Sequence, residues 1–464
     1  MRLQLLLLLF LTKVSTRSST NPRLEFIHSV INTKTIRLPS RRVQLIENEE
    51  NGVIVNTGQQ LFSLDFSDFP KLKQVSVQHL GLVANGQDKV YAFFKEKHPA
   101  ESLESDMWLP FVAQVCMADK GGNKNILEYR WTTHLKARLF CGDRASGQHY
   151  PELVDVSFLH KEDGALSAVY ALFWNEWSMS AVCVYSIDDI EKVFKTSAFK
   201  ANKAPVPDQR PGTCTYNSQT DKQMLTFMQK QPEVVDRVRS MNNAGPLLVS
   251  QHRYTHILLD TAHTHTLLYL SLVSGRVHKV LDNKTRAFII AEYRPFTDKA
   301  HILDMILHKP TRKLYVSSSK EVVQVDVQSC EKYGPQCEDC VLARDPYCGW
   351  NGHQCVEATS ETLQDVEKGD HTICLSSKEH KEPRSISAPL GFSVFMRCPV
   401  SSRHAEYTWH RPGNITTTCD VIEKSECNVL IERVVLEDGG VYRCMEEERG
   451  YKTNRRSFRT AGGK

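Results

Sequence analysis

Cys330-Glu-Lys-Tyr-Gly-Pro-Gln-Cys337-Glu-Asp-Cys340-Val-Leu-Ala-Arg-Asp-Pro-Tyr-Cys348-Gly-Trp350-Asn-Gly-His-Gln-Cys355 places five cysteines within 26 residues, and Cys374 follows shortly. So short a segment cannot bury enough apolar surface to hold itself together, and covalent cross-links must stand in for the missing core. Such cross-links require an oxidising compartment. The run therefore marks both a location outside the cytosol and a boundary between larger modules.

The chain around it has 464 residues, room for two to four domains. Apolar content of 41% and charged content of 24% are ordinary for globular protein, and a net charge of +4 gives nucleic-acid binding no support. Fourteen cysteines are present, none before Cys116 and ten from Cys330 onward. Met1-Arg-Leu-Gln, then Leu5 to Leu11, then Lys13 and small polar residues read as a signal peptide over residues 1–20. No other stretch approaches the ~20 apolar residues of a membrane helix. The polar Arg456–Lys464 end carries no lipid-anchor signal, so the reading is a secreted, soluble chain.

From about Arg23 to Val327 the pattern is short strands separated by turns. Gln60-Leu-Phe-Ser-Leu-Asp-Phe66 and Lys89-Val-Tyr-Ala-Phe-Phe94 are examples, and the Ser274-Gly275 pair reads as a hairpin turn. Some 300 residues of this kind exceed one sandwich and favour the blades of a β-propeller. One short helix is expected at Ile187 to Phe194, with Asp188, Asp189 and Glu191 in its first turns. After the cysteine-rich run and a polar connector (Ser376 to Arg384), the chain reads Cys398, Trp409, then Asp438-Gly-Gly-Val-Tyr442-Arg-Cys444. That is immunoglobulin spacing: a tryptophan packed on an inter-sheet disulfide and a tyrosine two residues before the second cysteine.

No catalytic motif is present: no Gly-x-Ser-x-Gly, His-Glu-x-x-His, phosphate-binding glycine loop or dinucleotide fingerprint. His263 and His265 would share a strand face, but no third zinc ligand lies nearby. Cys337-Glu-Asp-Cys340 reads as scaffold rather than as a redox or metal pair. The chain is read as no enzyme, with neither cofactor nor metal.

Val341-Leu-Ala-Arg-Asp-Pro-Tyr-Cys-Gly-Trp350 resembles the heart of the cysteine-rich plexin–semaphorin–integrin (PSI) module of semaphorins. Trp131-Thr-Thr-His-Leu-Lys-Ala-Arg-Leu-Phe-Cys141, Ser180-Ala-Val-Cys183-Val-Tyr-Ser-Ile-Asp-Asp-Ile190, Arg210-Pro-Gly-Thr-Cys214, Met241-Asn-Asn243 and Gly275-Arg-Val-His-Lys-Val280 resemble the sema domain in the family's order. The implied fold is all-β: a sema propeller over residues 21–327, a PSI module over 328–375, an immunoglobulin-like domain over 385–455 and a polar tail over 456–464. The resemblance further implies the pairs Cys116–Cys214, Cys141–Cys183, Cys330–Cys348, Cys337–Cys374, Cys340–Cys355 and Cys398–Cys444. Cys419 and Cys427, left over and close together, are paired by elimination.

Semaphorin propellers have seven blades, and a long cysteine-containing block normally precedes the stretch resembling Gly81-Leu-Val-Ala-Asn-Gly-Gln-Asp-Lys-Val-Tyr-Ala-Phe-Phe94. Here Leu64-Asp-Phe-Ser-Asp-Phe-Pro70 runs almost directly into it, so a propeller lacking part of its N-terminal blades is expected. The chain looks most similar to class 7 semaphorins, which implies a lipid anchor in a full-length form and β1 integrin as a second partner. Their integrin-binding Arg-Gly-Asp is absent, and Gly142-Asp-Arg-Ala-Ser-Gly147 stands in the corresponding loop.

The family implies an extracellular ligand of a plexin receptor, acting as a homodimer in the guidance of axons, migrating cells and immune cells. The alternative is a secreted isoform or decoy that binds without signalling. Receptor contacts call for exposed aromatics and arginine at the propeller rim. Two loops supply them: Arg144, His149 and Tyr150 in one, Trp174, Glu176 and Trp177 in the other. Asn283-Lys-Thr and Asn414-Ile-Thr are N-glycan acceptor sequences.

Overall fold

Leu166-Ser-Ala-Val-Tyr-Ala-Leu-Phe-Trp174 is apolar at nearly every position rather than at alternate ones. Successive strand residues point to opposite faces, so a continuous apolar run needs cover on both sides. In the computed structural model this is what the strand receives. Val169, Ala171 and Phe173 join a core with Tyr91, Val112, Leu135 and Leu153. Ala168, Tyr170 and Leu172 join a separate core with Ile257, Leu268 and Leu270. Sheets stacked face to face on both sides of one another are the packing of a propeller.

The structure describes residues 44–48, 52–56, 61–65, 71–75 and most of 77–463. Internal segments lie outside it, among them 98–107, 144–146, 201–205, 215–221, 376–381 and 420–425. Two compact units form: one by residues up to Val325 apart from Thr261–His265 and Lys309–Lys313, the other by those two segments with Asp326–Lys464.

Among the described residues the first unit contains five sheets in succession. The first is a meander of Gln44–Asn48, Gly52–Asn56, Leu61–Asp65 and Lys71–Val75. The second joins Val77–Asn85, Lys89–Lys97, Trp108–Cys116 and Leu135–Phe140, with Val238–Arg239 added in parallel at its edge. Glu152–His160, Leu166–Trp174, Ser180–Ser186 and Leu248–Ser250 make the third. The fourth is Tyr254–Ala262, His265–Leu272, Val277–Asp282 and Ala287–Tyr293; the fifth has three strands, Asp304–His308, Lys313–Ser317 and Val322–Asp326. Five sheets stand where the family resemblance implied seven blades.

Cys141–Cys183 ties the end of the second sheet to a strand of the third, and Cys116–Cys214 anchors the excursion that follows the helix. That helix spans Ile187–Thr196; Ser186 caps it by accepting the Asp188 amide, and Ile187, Ile190 and Phe194 turn inward. Gly275 turns the fourth-sheet hairpin at φ +81°, and a Cβ there would lie 2.1 Å from the Ala300 carbonyl oxygen, so only glycine fits. His263 takes φ +53° in a turn outside the strand, so the two histidines do not share a strand face. No helix among the described residues is long and apolar enough to cross a membrane.

In the second unit, helix Cys337–Leu342 and the hairpin Cys348–Trp350/Cys355–Glu357 are cross-linked by Cys330–Cys348, Cys337–Cys374 and Cys340–Cys355. The guanidinium of buried Arg344 donates to the carbonyls of Val366 and Glu367, tying the chain after the helix to the segment that precedes Cys374. The immunoglobulin-like sandwich follows. Its five-stranded sheet has the order Arg384–Pro389, Tyr451–Gly463, Gly440–Glu448, Glu406–Arg411, Ile415–Cys419; its second sheet has two strands, Val394–Pro399 and Glu426–Ile431. Cys398–Cys444 and Cys419–Cys427 both cross between the sheets. Trp409 Nε1 donates to the Cys427 carbonyl at 2.9 Å, and the Tyr442 hydroxyl donates to the Asp438 carbonyl at 3.0 Å.

One expectation is corrected here. Residues 456–463 form no solvated tail: they continue the strand Tyr451–Gly463, paired on one side with Gly440–Glu448 and on the other, in parallel, with Arg384–Pro389. Phe458 stacks on Trp409 inside the sandwich.

The small module and the sandwich are joined by a buried ionic triad. Arg455 donates to Asp339 Oδ1 at 2.5 Å and Oδ2 at 3.0 Å, and its Nε donates to Glu446. The Asp339 and Glu446 side chains are 4% and 3% exposed. Burial opposes the arginine's charge, but the hydrogen bonds to both carboxylates outweigh it and hold its pKa above the ordinary arginine value. Tyr451 adds a hydrogen bond to Gln336 at 2.8 Å.

Candidate receptor-binding edge

Leu166–Trp174 and Ser180–Ser186 are antiparallel with Trp174 opposite Ser180, which leaves Asn175-Glu-Trp-Ser-Met179 to turn the chain. Asn175 is the residue that shapes this turn. Its side-chain oxygen accepts the amides of Trp177 (3.1 Å) and Met179 (2.9 Å), and Ser178 adopts φ +61°. The Trp177 side chain stands 84% exposed on this turn. Glu176 beside it is exposed as well.

Trp174, three residues earlier, has another role. It is half-buried, its Nε1 donates to the Tyr254 carbonyl at 2.7 Å, and the Arg253 guanidinium lies 3.8 Å from its ring centroid. It therefore seals the third sheet against the fourth. Arg253 also reaches Ser178 Oγ at 3.1 Å, and Ser180 Oγ accepts the Tyr254 amide at 3.0 Å, so the hairpin tip is fastened to the neighbouring sheet.

Behind Arg253 lies a polar chain that sequence reading did not find. The Tyr254 hydroxyl meets His278 Nδ1 at 2.8 Å, His278 Nε2 meets Glu292 at 3.3 Å, and Arg276 and Arg294 converge on the same carboxylate. Burial pushes the Tyr254 hydroxyl up to about 12 and holds His278 below its ordinary value. Burial would raise Glu292, but hydrogen bonds from Arg276 and His278 outweigh it and keep the carboxylate low. Alternation in Gly275-Arg-Val-His-Lys-Val280 puts Arg276 and His278 on one face, the only signal by which this cluster was legible.

The other loop fares differently. Tyr150 is fully buried, its amide donating to the Cys141 carbonyl at 2.9 Å, so it offers a partner no surface and is withdrawn as a contact residue. His149 is exposed, stacked on Phe140 with ring centroids 5.1 Å apart. Arg144 lies outside the described residues. Asn283 sits in the turn between Val277–Asp282 and Ala287–Tyr293, and Asn414 ends the short 3-10 turn Pro412–Asn414. No cluster of three metal-ligating side chains occurs among the described residues.

The Sema domain model matches residues 153–309, which span this edge, and the plexin repeat model matches residues 329–376. The chain carries the Sema and PSI domains of a semaphorin. Human Semaphorin-7A (Homo sapiens) is 36% identical over 383 residues, covering 78% of this chain and 58% of that protein; Mus musculus Semaphorin-7A is 34% identical over the same span and shares. This semaphorin chain therefore spans somewhat over half the length of these relatives. Among solved structures, Drosophila Semaphorin 2a shares the fold with a TM-score of 0.67 at 22% identity, covering 89% of this chain and 74% of its own. Drosophila Plexin A in complex with Semaphorin 1b matches with a TM-score of 0.57 at 22% identity, over 71% of this chain and 76% of its own.

Proposed function

We propose that this semaphorin chain is an extracellular ligand that binds a plexin-type receptor through the edge carrying Trp177. The observation behind this reading is a large aromatic side chain, 84% exposed, on a turn that Asn175 and Arg253 hold rigid. Rigid aromatics lose little entropy on binding and recur among the residues that carry interface energy. Arg253 and Glu176 supply polar surroundings, and a solved structure similar to this chain holds Drosophila Plexin A in complex with Semaphorin 1b. The fourteen cysteines, all paired, fit an oxidising extracellular setting, with N-glycans at Asn283 and Asn414. The output would be guidance of axons, migrating cells or immune cells; β1 integrin is set aside for want of an Arg-Gly-Asp sequence.

The test is surface binding of the secreted chain to plexin ectodomains. Trp177→Ala should weaken binding by about 30-fold, the equivalent of a ~2 kcal/mol hot spot, without lowering secretion. Wild-type affinity in that variant would refute the reading. A second reading, a decoy that binds without signalling, is favoured by the five sheets found among the described residues, against the seven blades the family resemblance implies. Receptor occupancy with no plexin response in cells would select it.

A further inference from the structure

Arg253 fastens the Trp177 turn, and the residue before it, His252, faces a buried histidine. The His252 and His278 rings meet edge to face with centroids 5.1 Å apart. His252 sits in the exposed bend that enters the fourth sheet, whereas the His278 side chain is only 5% exposed. His278 belongs to Val277–Asp282, a strand hydrogen-bonded on both sides, where it lies opposite Glu292. The titratable and charged groups around it come from four places. Tyr254 comes from the first strand, Arg276 from its own, Glu292 from the last with Arg294 on the same carboxylate, and His252 from the bend. Its partner on the remaining neighbouring strand, Leu270, is apolar.

This arrangement fixes where the imidazole carries its hydrogen. The Glu292 carboxylate only accepts, so Nε2, 3.3 Å away, bears the hydrogen, and Nδ1 accepts from the Tyr254 hydroxyl at 2.8 Å. Both nitrogens of the neutral ring are thereby satisfied. A second proton, on Nδ1, meets a hydroxyl whose own hydrogen already points at it. It also leaves one carboxylate among three cations, because Arg276 reaches the Glu292 oxygens at 3.3 and 3.2 Å and Arg294 reaches Oε1 at 3.2 Å. Burial opposes the new charge most, His252 and Arg276 oppose it further, and Glu292 only partly offsets them, so His278 titrates below its ordinary value. The contribution of the neutral ring is therefore present above 6.5 and lost as pH falls through the lowered value.

His278 and Glu292 are paired in the ladder of the fourth sheet and cannot part without breaking it. The bend is the side able to yield, since His252 is exposed and its amide is held only by Ser250 Oγ at 3.0 Å. A cation at His278 pushes His252 outward, and the next residue along the chain is Arg253. Arg253 covers the Trp174 ring at 3.8 Å and reaches Ser178 Oγ at 3.1 Å, so its displacement removes a fastener of the turn. We propose that acidification unfastens the Trp177 turn: His278 takes up a proton, His252 moves away with Arg253, and the exposed edge loses its rigidity and its affinity for the receptor. The last step rests on the receptor reading given above; the unfastening of the turn does not.

Amide hydrogen exchange of the whole secreted chain, referred to the intrinsic rate at each pH, reads the turn without any receptor. Between about pH 8 and about pH 5 the Ser178 and Met179 amides should lose protection by ~10-fold, while Val277–Asp282 keeps its own. His278→Gln can still accept from Tyr254 and donate to Glu292 but cannot gain charge, so its turn should stay protected in acid. His252→Asn, on the surface, should shrink the loss, and it decides the matter if the buried substitution unfolds the chain. Protection indifferent to pH in the wild type overturns the proposal. So does an acid loss as large in His278→Gln as in the wild type or, should that variant not fold, in His252→Asn. Binding to plexin ectodomains is the second arm: wild-type affinity should fall ~10-fold over the same range and His278→Gln should hold it. An equal fall in His278→Gln overturns the last step. Wild-type affinity in Trp177→Ala removes the receptor reading and leaves the acid response of the turn standing, whereas weakened binding in Trp177→Ala with no acid response of the turn removes only the switch.

Discussion

Arg455→Met tests whether the ionic triad is what makes the small module and the sandwich a single cooperative body. Methionine keeps the length and apolar stem of the arginine but removes the charge. Asp339 and Glu446 would then lie unpaired at 4% and 3% exposure, Glu446 retaining only its hydrogen bonds from Ser401 Oγ at 2.8 and 3.1 Å. Breaking one side of a buried ion pair costs about 3–5 kcal/mol, because the remaining charge has neither partner nor water. For a unit of about 150 residues each kcal/mol moves Tm by roughly 2–4 °C, so a drop of about 6–20 °C is expected. Differential scanning calorimetry of the secreted chain measures it. The second unit should lose its single transition and melt in two steps, the disulfide-linked module outlasting the sandwich. Adding Asp339→Leu and Glu446→Met to the variant should recover most of the loss, since an apolar trio avoids the desolvation cost of three charges. A Tm within ~2 °C of wild type for Arg455→Met would refute this account of the joint.

Three further outcomes follow from other sites. Asp155, which accepts the Val156 and Ile257 amides, is raised by burial to about 7 from its ordinary 3.8. The folded chain thus holds a proton that the unfolded chain releases, so stability contributed by the neutral carboxyl is lost as pH rises from about 4 to 7; Asp155→Asn should flatten that part of a Tm-against-pH curve. His134 acts in the opposite direction, lowered by burial to about 4, so its contribution is present above 6.5 and lost as pH falls toward 4; His134→Gln should melt with less acid sensitivity in that window. Replacing Cys419 and Cys427 by serine opens a loop with a sequence separation of 8, for which loop entropy predicts a loss of about 2.5 kcal/mol in denaturant unfolding, with the Cys398–Cys444 bridge intact.

What the sequence disclosed and what it hid divide along physical lines. Cysteine spacing and the Trp409–Tyr442–Cys444 offsets were legible because a disulfide and its packing partners fix distances along the chain. Tyr150 was misread because aromatic character beside a glycine-rich loop does not say which way a side chain turns, and this ring joins the buried core with Tyr91, Leu153 and Phe173. Trp174 and Trp177 look equivalent in sequence, but one ends a strand beneath Arg253 and the other rides the turn that Asn175 shapes. Charge disguised the last strand: Arg455, Arg456 and Arg459 suggested solvent, while Ser457, Phe458 and Thr460 are buried and a bulge between Cys444 and Met445 breaks the simple alternation. Least legible was the joint. Asp339 and Arg455 are 116 residues apart, and nothing local announces that a helix carboxylate in one module waits for an arginine in the next. That separation has a consequence for folding. The small module is cross-linked within its own span, so it can form before the sandwich, but its Asp339 stays without its cation until the final strand is in place. The Cys337–Cys374 and Cys398–Cys444 bridges should therefore resist reduction independently, whereas protection of the Asp339 helix amides from hydrogen exchange should depend on Arg455. Full protection in Arg455→Met would show that the module needs nothing from the sandwich.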